Sequence, residues 1–259
     1  MTKRHHRATD EEILETLPAG VEEAPRSIRS AWGLFEVLLK APDRVNPFIR
    51  LPEMQGELSF RFGLITVVGM SLYALSIFAA LYFAPPEAVP GLLRDRWDHG
   101  TAGLAGLLAA YPAGVLASTF LVLPSYWFLC LLCGVKMPLG EVLTHSLKGK
   151  AATTVLVLGI MPIYGVVLAV MILARLPGEL INPFLWLSLL LPFVAGLRGA
   201  GAIESGFRNV VATTPDLSRS SRAAIPVSLI VLWGLLFTLT APLVMYRAWD
   251  LVTLWVHGT

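Results

Sequence analysis

The sequence is poor in charged residues, and their absence is concentrated in a few long stretches. Only 15% of its 259 residues are Asp, Glu, Lys or Arg. Five stretches contain none of the four: Phe62–Ala84, His99–Val135, Ala151–Ala174, Leu180–Leu197 and Ala223–Tyr246. Such stretches suit lipid better than water, because a helix in a soluble protein carries a polar outer face. A helix of about 20 apolar residues crosses a bilayer, and the strict alternation of membrane β-strands is missing. We therefore predict an all-α, polytopic membrane helix bundle.

Cysteine is also scarce, which restricts disulfide and metal chemistry. The chain has two cysteines, Cys130 and Cys133, one helical turn apart. A redox or metal pair is one interpretation. However, structural zinc normally has four ligands, and His145 is the only plausible neighbour. We favour simple packing of two small side chains in a membrane helix, and we expect no metal or cofactor.

The residue patterns of common enzymes are missing as well. No glycine-rich phosphate loop lies between a strand and a helix. No intramembrane histidine can be identified as a base for Ser205, and a lone serine is not an activated nucleophile. We therefore expect a protein that is not an enzyme, and an intramembrane hydrolase is the weakest alternative. The net charge of +2 also gives no field that would attract nucleic acid.

The basic residues that are present lie mostly on one side of the predicted crossings. If each stretch crosses once, 16 of the 20 lysines and arginines lie on the side of the N-terminus. By the positive-inside rule, the N-terminus is cytosolic and the C-terminus lies outside. Lys148 and Lys150 fall in a cytosolic loop, and so does His145, on the opposite side from His99. No ionisable residue is expected inside a crossing, and Glu204 and Arg208 are expected to form an interfacial ion pair.

The second stretch is too long for one ordinary crossing. Two crossings would reverse everything downstream and place the lysines after it outside, against the charge rule. One long or bent crossing is therefore preferred, which makes the total five. Residues 99–112 are then either an outer extension of that crossing or a re-entrant segment.

Residues 1–61 are predicted to be a cytosolic N-terminal region. Thr9 and Glu12 have the spacing of a helix capping box. Residues 27–41 have the period of an amphipathic helix, with Trp32 and Phe35 as apolar anchors. The helix either lies in the headgroup layer or packs on the cytosolic end of the bundle.

The transmembrane domain, residues 62–246, carries small residues and prolines in its later crossings. Pairs of small residues four apart allow helices to approach closely: Ala195 with Gly199, Gly196 with Ala200, and Ala202 with Gly206. Whether their partner helix belongs to this chain or to another is open. Residues 247–259 are predicted to be an outer interfacial tail, in which Trp249 and Trp255 fit an aromatic belt.

The arrangement resembles the Yip-domain family of five-helix membrane proteins. The likeness lies in Ser27–Asn46 (SIRSAWGLFEVLLKAPDRVN), in GIMPIYG of the third crossing and in LPFVAGLRGA of the fourth. The DLYGP signature of the eukaryotic members is absent. A second stretch, VLPSYWFLCLLCGVKMPLGEVL, is similar to uncharacterised bacterial polytopic proteins, which implies a bacterial cytoplasmic membrane.

Two functions follow as expectations. The first is a scaffold or accessory subunit of a membrane complex, with the bilayer and other membrane subunits, or further copies of itself, as partners. The second is a small transporter or channel component. Its polar candidates within the crossings are Thr119, Ser125, Thr153, Thr154, Thr238 and Thr240, and they are few for a transport site.

Overall fold

A computed structural model describes residues 30–94, 101–212 and 219–257. Within these ranges the chain is helical and contains no strand. The helices are α1 (Ala31–Lys40), α2 (Asn46–Ile49), α3 (Pro52–Phe83), α4 (Gly91–Arg94), α5 (Thr101–Leu132), α6 (Leu139–Leu173), α7 (Gly178–Ala212) and α8 (Arg219–His257). Two 3₁₀ turns, Pro42–Val45 and Pro86–Ala88, join the shorter pieces.

Five of the described helices are long and apolar enough to cross a membrane. They are α3, α5, α6, α7 and α8, with lengths of 32 to 39 residues. This confirms an all-helical bundle of the membrane class with five candidate crossings. The side on which each end lies is a separate question.

The long second stretch forms a single helix, α5. Thr101–Leu132 runs without interruption through Pro112 and Pro124, so residues 101–112 are its first turns rather than a re-entrant segment. Residues 95–100, including His99, lie outside the described ranges. The buried hydroxyl of Thr119 donates to the Val115 carbonyl of the same helix at 2.7 Å.

The five long helices form a closed ring in the order α3, α5, α8, α7, α6 and back to α3. The turn after α6 brings α6 and α7 side by side, whereas α5 and α6 follow each other in sequence without being neighbours in the ring. After α5, Gly134 has a φ of 78°, a conformation that glycine adopts without steric cost. After α6, Arg175 makes the equivalent turn with a φ of 55°.

The helices extend well beyond the apolar stretches. α3 begins at Pro52 and α6 at Leu139, about ten residues before the uncharged segments start. No proline or glycine cluster separates the charged residues from the apolar ones, so one helix continues through both. At the other end of the chain α8 runs to His257, so residues 247–257 continue the last helix instead of forming a separate tail.

The N-terminal segment from residue 30 packs against one end of this ring. Ser30 caps α1, because its Oγ accepts a hydrogen bond from the Gly33 amide at 2.9 Å. Leu34 and Leu38 of α1 are buried in a core that includes Phe62 of α3 and Ala151 of α6. Pro42, which cannot extend a helix interior, lies in the turn that follows α1. Residues 27–29 of the predicted helix and the capping box at residues 9–12 lie outside the described ranges.

Candidate functional site

The first half of α6 carries a dense set of buried polar side chains. They are Glu141, Thr144, His145, Ser146, Lys148, Lys150, Thr153 and Thr154. From residue 141 to residue 155 nearly every position of α6 is buried, because α3, α7 and the N-terminal segment enclose this part of the helix. The prediction of a loop here was wrong, because these residues belong to α6. The expectation that no ionisable residue lies inside a crossing was wrong as well, since the candidate span Leu139–Leu173 includes Lys148 and Lys150.

Lys148 is fully buried, at 0% exposure, and its charge is held by an amide. Its Nζ donates to Oδ1 of Asn46 at 2.5 Å. Asn46 in turn donates through Nδ2 to Oγ of Ser205 at 3.3 Å, and Ser205 donates to the Ala202 carbonyl at 3.0 Å. Asp43, in the preceding turn, adds a favourable charge. This chain of bonds, the Lys148 network, joins the N-terminal segment to α6 and α7.

His145 lies beside this network in a purely structural setting. Its ring packs 6.0 Å from that of Phe207, measured between centroids, and fills the space left by Gly206, where a Cβ would overlap it. Nδ1 is buried and has no hydrogen-bond partner among the described residues. No group of three His, Cys, Asp or Glu in these ranges is arranged to hold a metal ion.

Lys150 differs from Lys148 in having aromatic faces instead of a polar partner. It is 7% exposed, and its Nζ lies 2.8 Å from the ring centroid of Phe237 and 5.2 Å from that of Trp233. Aromatic faces attract a desolvated ammonium. No carboxylate or hydrogen-bond acceptor for this Nζ is found in the described part of the chain. The ammonium is therefore buried without a counter-charge, an arrangement that is costly unless something else compensates it.

The ammonium of Lys150 faces a cavity of about 130 Å³ between α6, α7 and α8. Apart from Lys150, the described residues in its wall that carry polar side-chain atoms are Thr153, Thr238 and Trp233, and the Thr153 hydroxyl already donates to the Gly149 carbonyl at 3.0 Å. The remaining wall is apolar or backbone, and includes Phe193, Gly196, Leu197, Ala200, Phe237 and Ala241. We call this space the Lys150 cavity. Its chemistry is that of one cation and two hydroxyls in an apolar surrounding.

Two facing glycines bring α6 and α7 close enough to enclose the cavity. A Cβ on Gly199 would lie 2.5 Å from the Gly149 carbonyl oxygen, and a Cβ on Gly149 would lie 2.9 Å from the Gly199 carbonyl oxygen. The two backbones therefore touch directly. Small residues are typical of such close crossings in membranes.

The six small residues singled out in the sequence divide into two groups. Ala195, Gly199, Ala202 and Gly206 are buried, and Gly199 and Gly206 face α6 of the same chain. Gly196 and Ala200 are half-buried and line the Lys150 cavity. The partner helix left open by the sequence is therefore α6 for the two buried glycines.

The four residues predicted to be interfacial anchors differ in their exposure. Trp32 is 77% exposed and stacks on Phe35 with ring centroids 5.6 Å apart, and Trp255 is exposed as well. Trp249 is buried against Gly106, so its assignment to an interfacial belt was wrong. The helix continues past Arg247 and carries Trp249 onto α5.

The remaining candidates behave as ordinary structural elements. Cys130 is buried and Cys133 half-buried, and both are free thiols. The Arg208 guanidinium donates to Glu204 at 2.9 Å through Nε, which confirms the predicted ion pair. Ser205 belongs to the Lys148 network rather than to a catalytic pair.

Fold and site together define a five-helix protein of the membrane class with a lysine-lined cavity inside the bundle. Comparison with family models, with curated proteins and with solved structures found no match for this chain. The resemblance to the Yip-domain family therefore stays a prediction.

The sequence contains a signal for the site, but dividing the chain into uncharged stretches hides it. Thr144, Ser146, Thr153 and Thr154 flank the two lysines in a continuous helical pattern, and Gly149 between them permits a close neighbour. Because Lys150 is charged, the predicted crossing begins at Ala151, and the two lysines are then assigned to a loop. Burial by surrounding helices, which decides the matter, depends on tertiary packing.

Proposed function

We propose that this chain is a non-enzymatic integral membrane protein that binds an anionic group in the Lys150 cavity, as a small transporter or channel component. The observation that carries the proposal is the buried ammonium of Lys150, which faces a cavity and has no counter-charge in the described ranges. An ionisable residue inside a membrane bundle is costly and marks a functional site by default. An anion in the cavity would supply the missing counter-charge.

The scaffold or accessory-subunit function expected from the sequence is supported less well. It depended on small-residue faces that would be free for another protein and on the absence of buried charge. Gly199 and Gly206 are occupied inside the chain, and Lys148 and Lys150 are buried. Lys150, which has no polar partner among the described residues, has no role that a scaffold would require.

Replacing Lys150 with methionine tests the function directly. Lys150→Met keeps the length of the side chain and removes the charge, so we expect binding of small anions to fall at least tenfold. Inorganic phosphate and acetate serve as probes for the protein in neutral detergent, with the rise in the thermal unfolding midpoint as the readout, since a ligand that binds only the folded state raises it.

Lys40→Met is the matched control, because Lys40 is an exposed lysine on α1 that pairs with Glu36. The control should keep the wild-type response to both anions. If wild type and Lys150→Met responded identically to every anion tested, whether soluble or part of a lipid, the proposed function would be contradicted.

We further propose that the N-terminus is cytosolic, that the C-terminus lies outside, and that the membrane is a bacterial cytoplasmic membrane. Support comes from the bias of basic residues toward the N-terminal side. In sealed cells treated with external protease, a tag beside Lys3 should survive, and one after Thr259 should be removed. The reverse pattern would show the opposite orientation.

A further inference from the structure

The Lys150 cavity has an opening at mid-height of the two helices that border it. Leu197 of α7 and Thr238 of α8 line the cavity and are themselves exposed, Leu197 at 75%. Leu197 lies near the middle of the candidate span Gly178–Ala212, and Thr238 near the middle of Ala224–Val256. Leu197 is also the last residue of the charge-free stretch Leu180–Leu197, so the opening lies between the outward faces of α7 and α8, where the apolar part of α7 ends.

Apolar residues surround the opening, apart from the exposed Arg198 that follows Leu197. Phe193 and Leu197 on one side and Phe237 and Ala241 on the other form its border. Neighbouring outward residues on the same helices are exposed hydrophobics: Leu190, Val194, Leu235, Leu239 and Leu243. Exposed apolar residues at the middle of a membrane helix contact hydrocarbon. An approach between these apolar faces suits an acyl chain, with the charged headgroup near the end of the charge-free stretch of α7.

The single positive charge of Lys150 limits the charge of a lipid headgroup that the cavity could hold. Lys150 is the only cationic side chain among the described residues that line it, and Thr153, Thr238 and Trp233 are the only others of these with polar side-chain atoms. One ammonium balances one negative charge. The cavity volume of about 130 Å³ is about ten times the ~10–15 Å³ that a cavity needs to hold one water, which is room for a carboxylate or a phosphodiester.

We propose that the Lys150 cavity receives the singly charged headgroup of an anionic lipid, which enters laterally between α7 and α8 while its acyl chain stays in the membrane. This inference rests on the proposed function, since it names the class of anion that Lys150 holds. A carboxylate or phosphodiester is the shared chemistry, and the position of the opening selects the membrane over the water as its source.

The test compares two lipids with the same acyl chains. Purified protein in neutral detergent is incubated with phosphatidylglycerol, which carries one negative charge, or with neutral phosphatidylcholine, and bound lipid is counted by native mass spectrometry. We expect one phosphatidylglycerol per chain, retained at least tenfold better than phosphatidylcholine. Inorganic phosphate and glycerol phosphate, both at millimolar concentration, should not displace it.

Variants connect that preference to the cavity. Lys150→Met should retain the two lipids equally, whereas Lys150→Arg should restore a preference for phosphatidylglycerol. Thr238→Trp fills the opening and should weaken phosphatidylglycerol binding at least fivefold. Leu239→Trp, one residue further along α8, is exposed and does not line the cavity, so it should behave like wild type.

The outcomes separate this inference from the function on which it rests. If wild type retains the two lipids equally but responds to phosphate or acetate through Lys150, the site serves a soluble anion and lateral lipid entry is refuted. Displacement of phosphatidylglycerol by inorganic phosphate would refute it too. If neither lipids nor soluble anions distinguish wild type from Lys150→Met, both proposals fail. The lipid comparison on wild type needs no variant to fold.

Discussion

Gly199→Val should severely destabilise the bundle or prevent its assembly. A Cβ at this position would lie 2.5 Å from the carbonyl oxygen of Gly149 and would overlap the hydroxyl of Thr153. Backbone atoms cannot rotate away as a side chain does, so α6 and α7 would have to separate. Overpacking of a tight contact costs about 1–3 kcal/mol and occasionally more, and the added branch of valine places this case at the upper end. Size-exclusion chromatography and the unfolding midpoint in detergent measure the effect.

The matched control is Gly201→Val, two residues further along α7. A Cβ on Gly201 would meet no atom within 4 Å, and the intrinsic cost or gain of valine in a helix is the same at both positions. Gly201→Val should therefore remain monodisperse with a nearly unchanged midpoint. If the two variants behaved alike, the direct contact between the α6 and α7 backbones would be refuted.

The class of the protein was predictable from the sequence because it depends on local properties. Long stretches without charge, such as Phe62–Ala84, can be stable only in lipid or in a very large core, and hydropathy distinguishes these cases well. The single helix α5 was also predictable, since charge on the following loop outweighed its excess length. Neither inference needs to know which helices are neighbours.

The site was not predictable, because it depends on which helices are neighbours in the fold. Whether Lys150 is a solvated loop residue or a buried one depends on α7 and α8 covering it, and these helices are distant in sequence. Asn46 illustrates the same limit, since its partners Lys148 and Ser205 lie 102 and 159 residues away. Trp249 shows the opposite error: a tryptophan near the end of a crossing resembles an interfacial anchor until its burial against Gly106 is seen.

The distinction between the two lysines follows from their partners. Lys148 is compensated by Asn46 and its network holds the N-terminal segment in place, whereas Lys150 opens onto a cavity with aromatic contacts alone. A variant of Lys148 should therefore change stability more than ligand binding. A variant of Lys150 should change ligand binding more than stability, because a methionine there removes an uncompensated charge.

Asn46→Leu should destabilise the protein by about 3 kcal/mol, because it leaves the Lys148 ammonium buried without its acceptor. Hydrogen bonds to charged groups contribute about 1.5–3 kcal/mol, and an orphaned buried charge costs more. The double variant Asn46→Leu/Lys148→Met replaces both partners with apolar groups of similar size. We expect it to be more stable than Asn46→Leu alone, although it carries one substitution more.

The coupling between the two positions is measured by a double-mutant cycle on the free energy of unfolding in mixed micelles. A residue pair in one hydrogen-bonded network should give an interaction energy of about 0.5–3 kcal/mol. The exposed pair Glu36 and Lys40, which is bonded at 2.5 Å, provides the control cycle and should show a coupling of no more than about 0.5 kcal/mol, because solvent screens it. Additive effects at Asn46 and Lys148 would mean that the buried bond contributes nothing, and that the N-terminal segment is held by its buried apolar side chains, among them Leu34, Leu38 and Ile49.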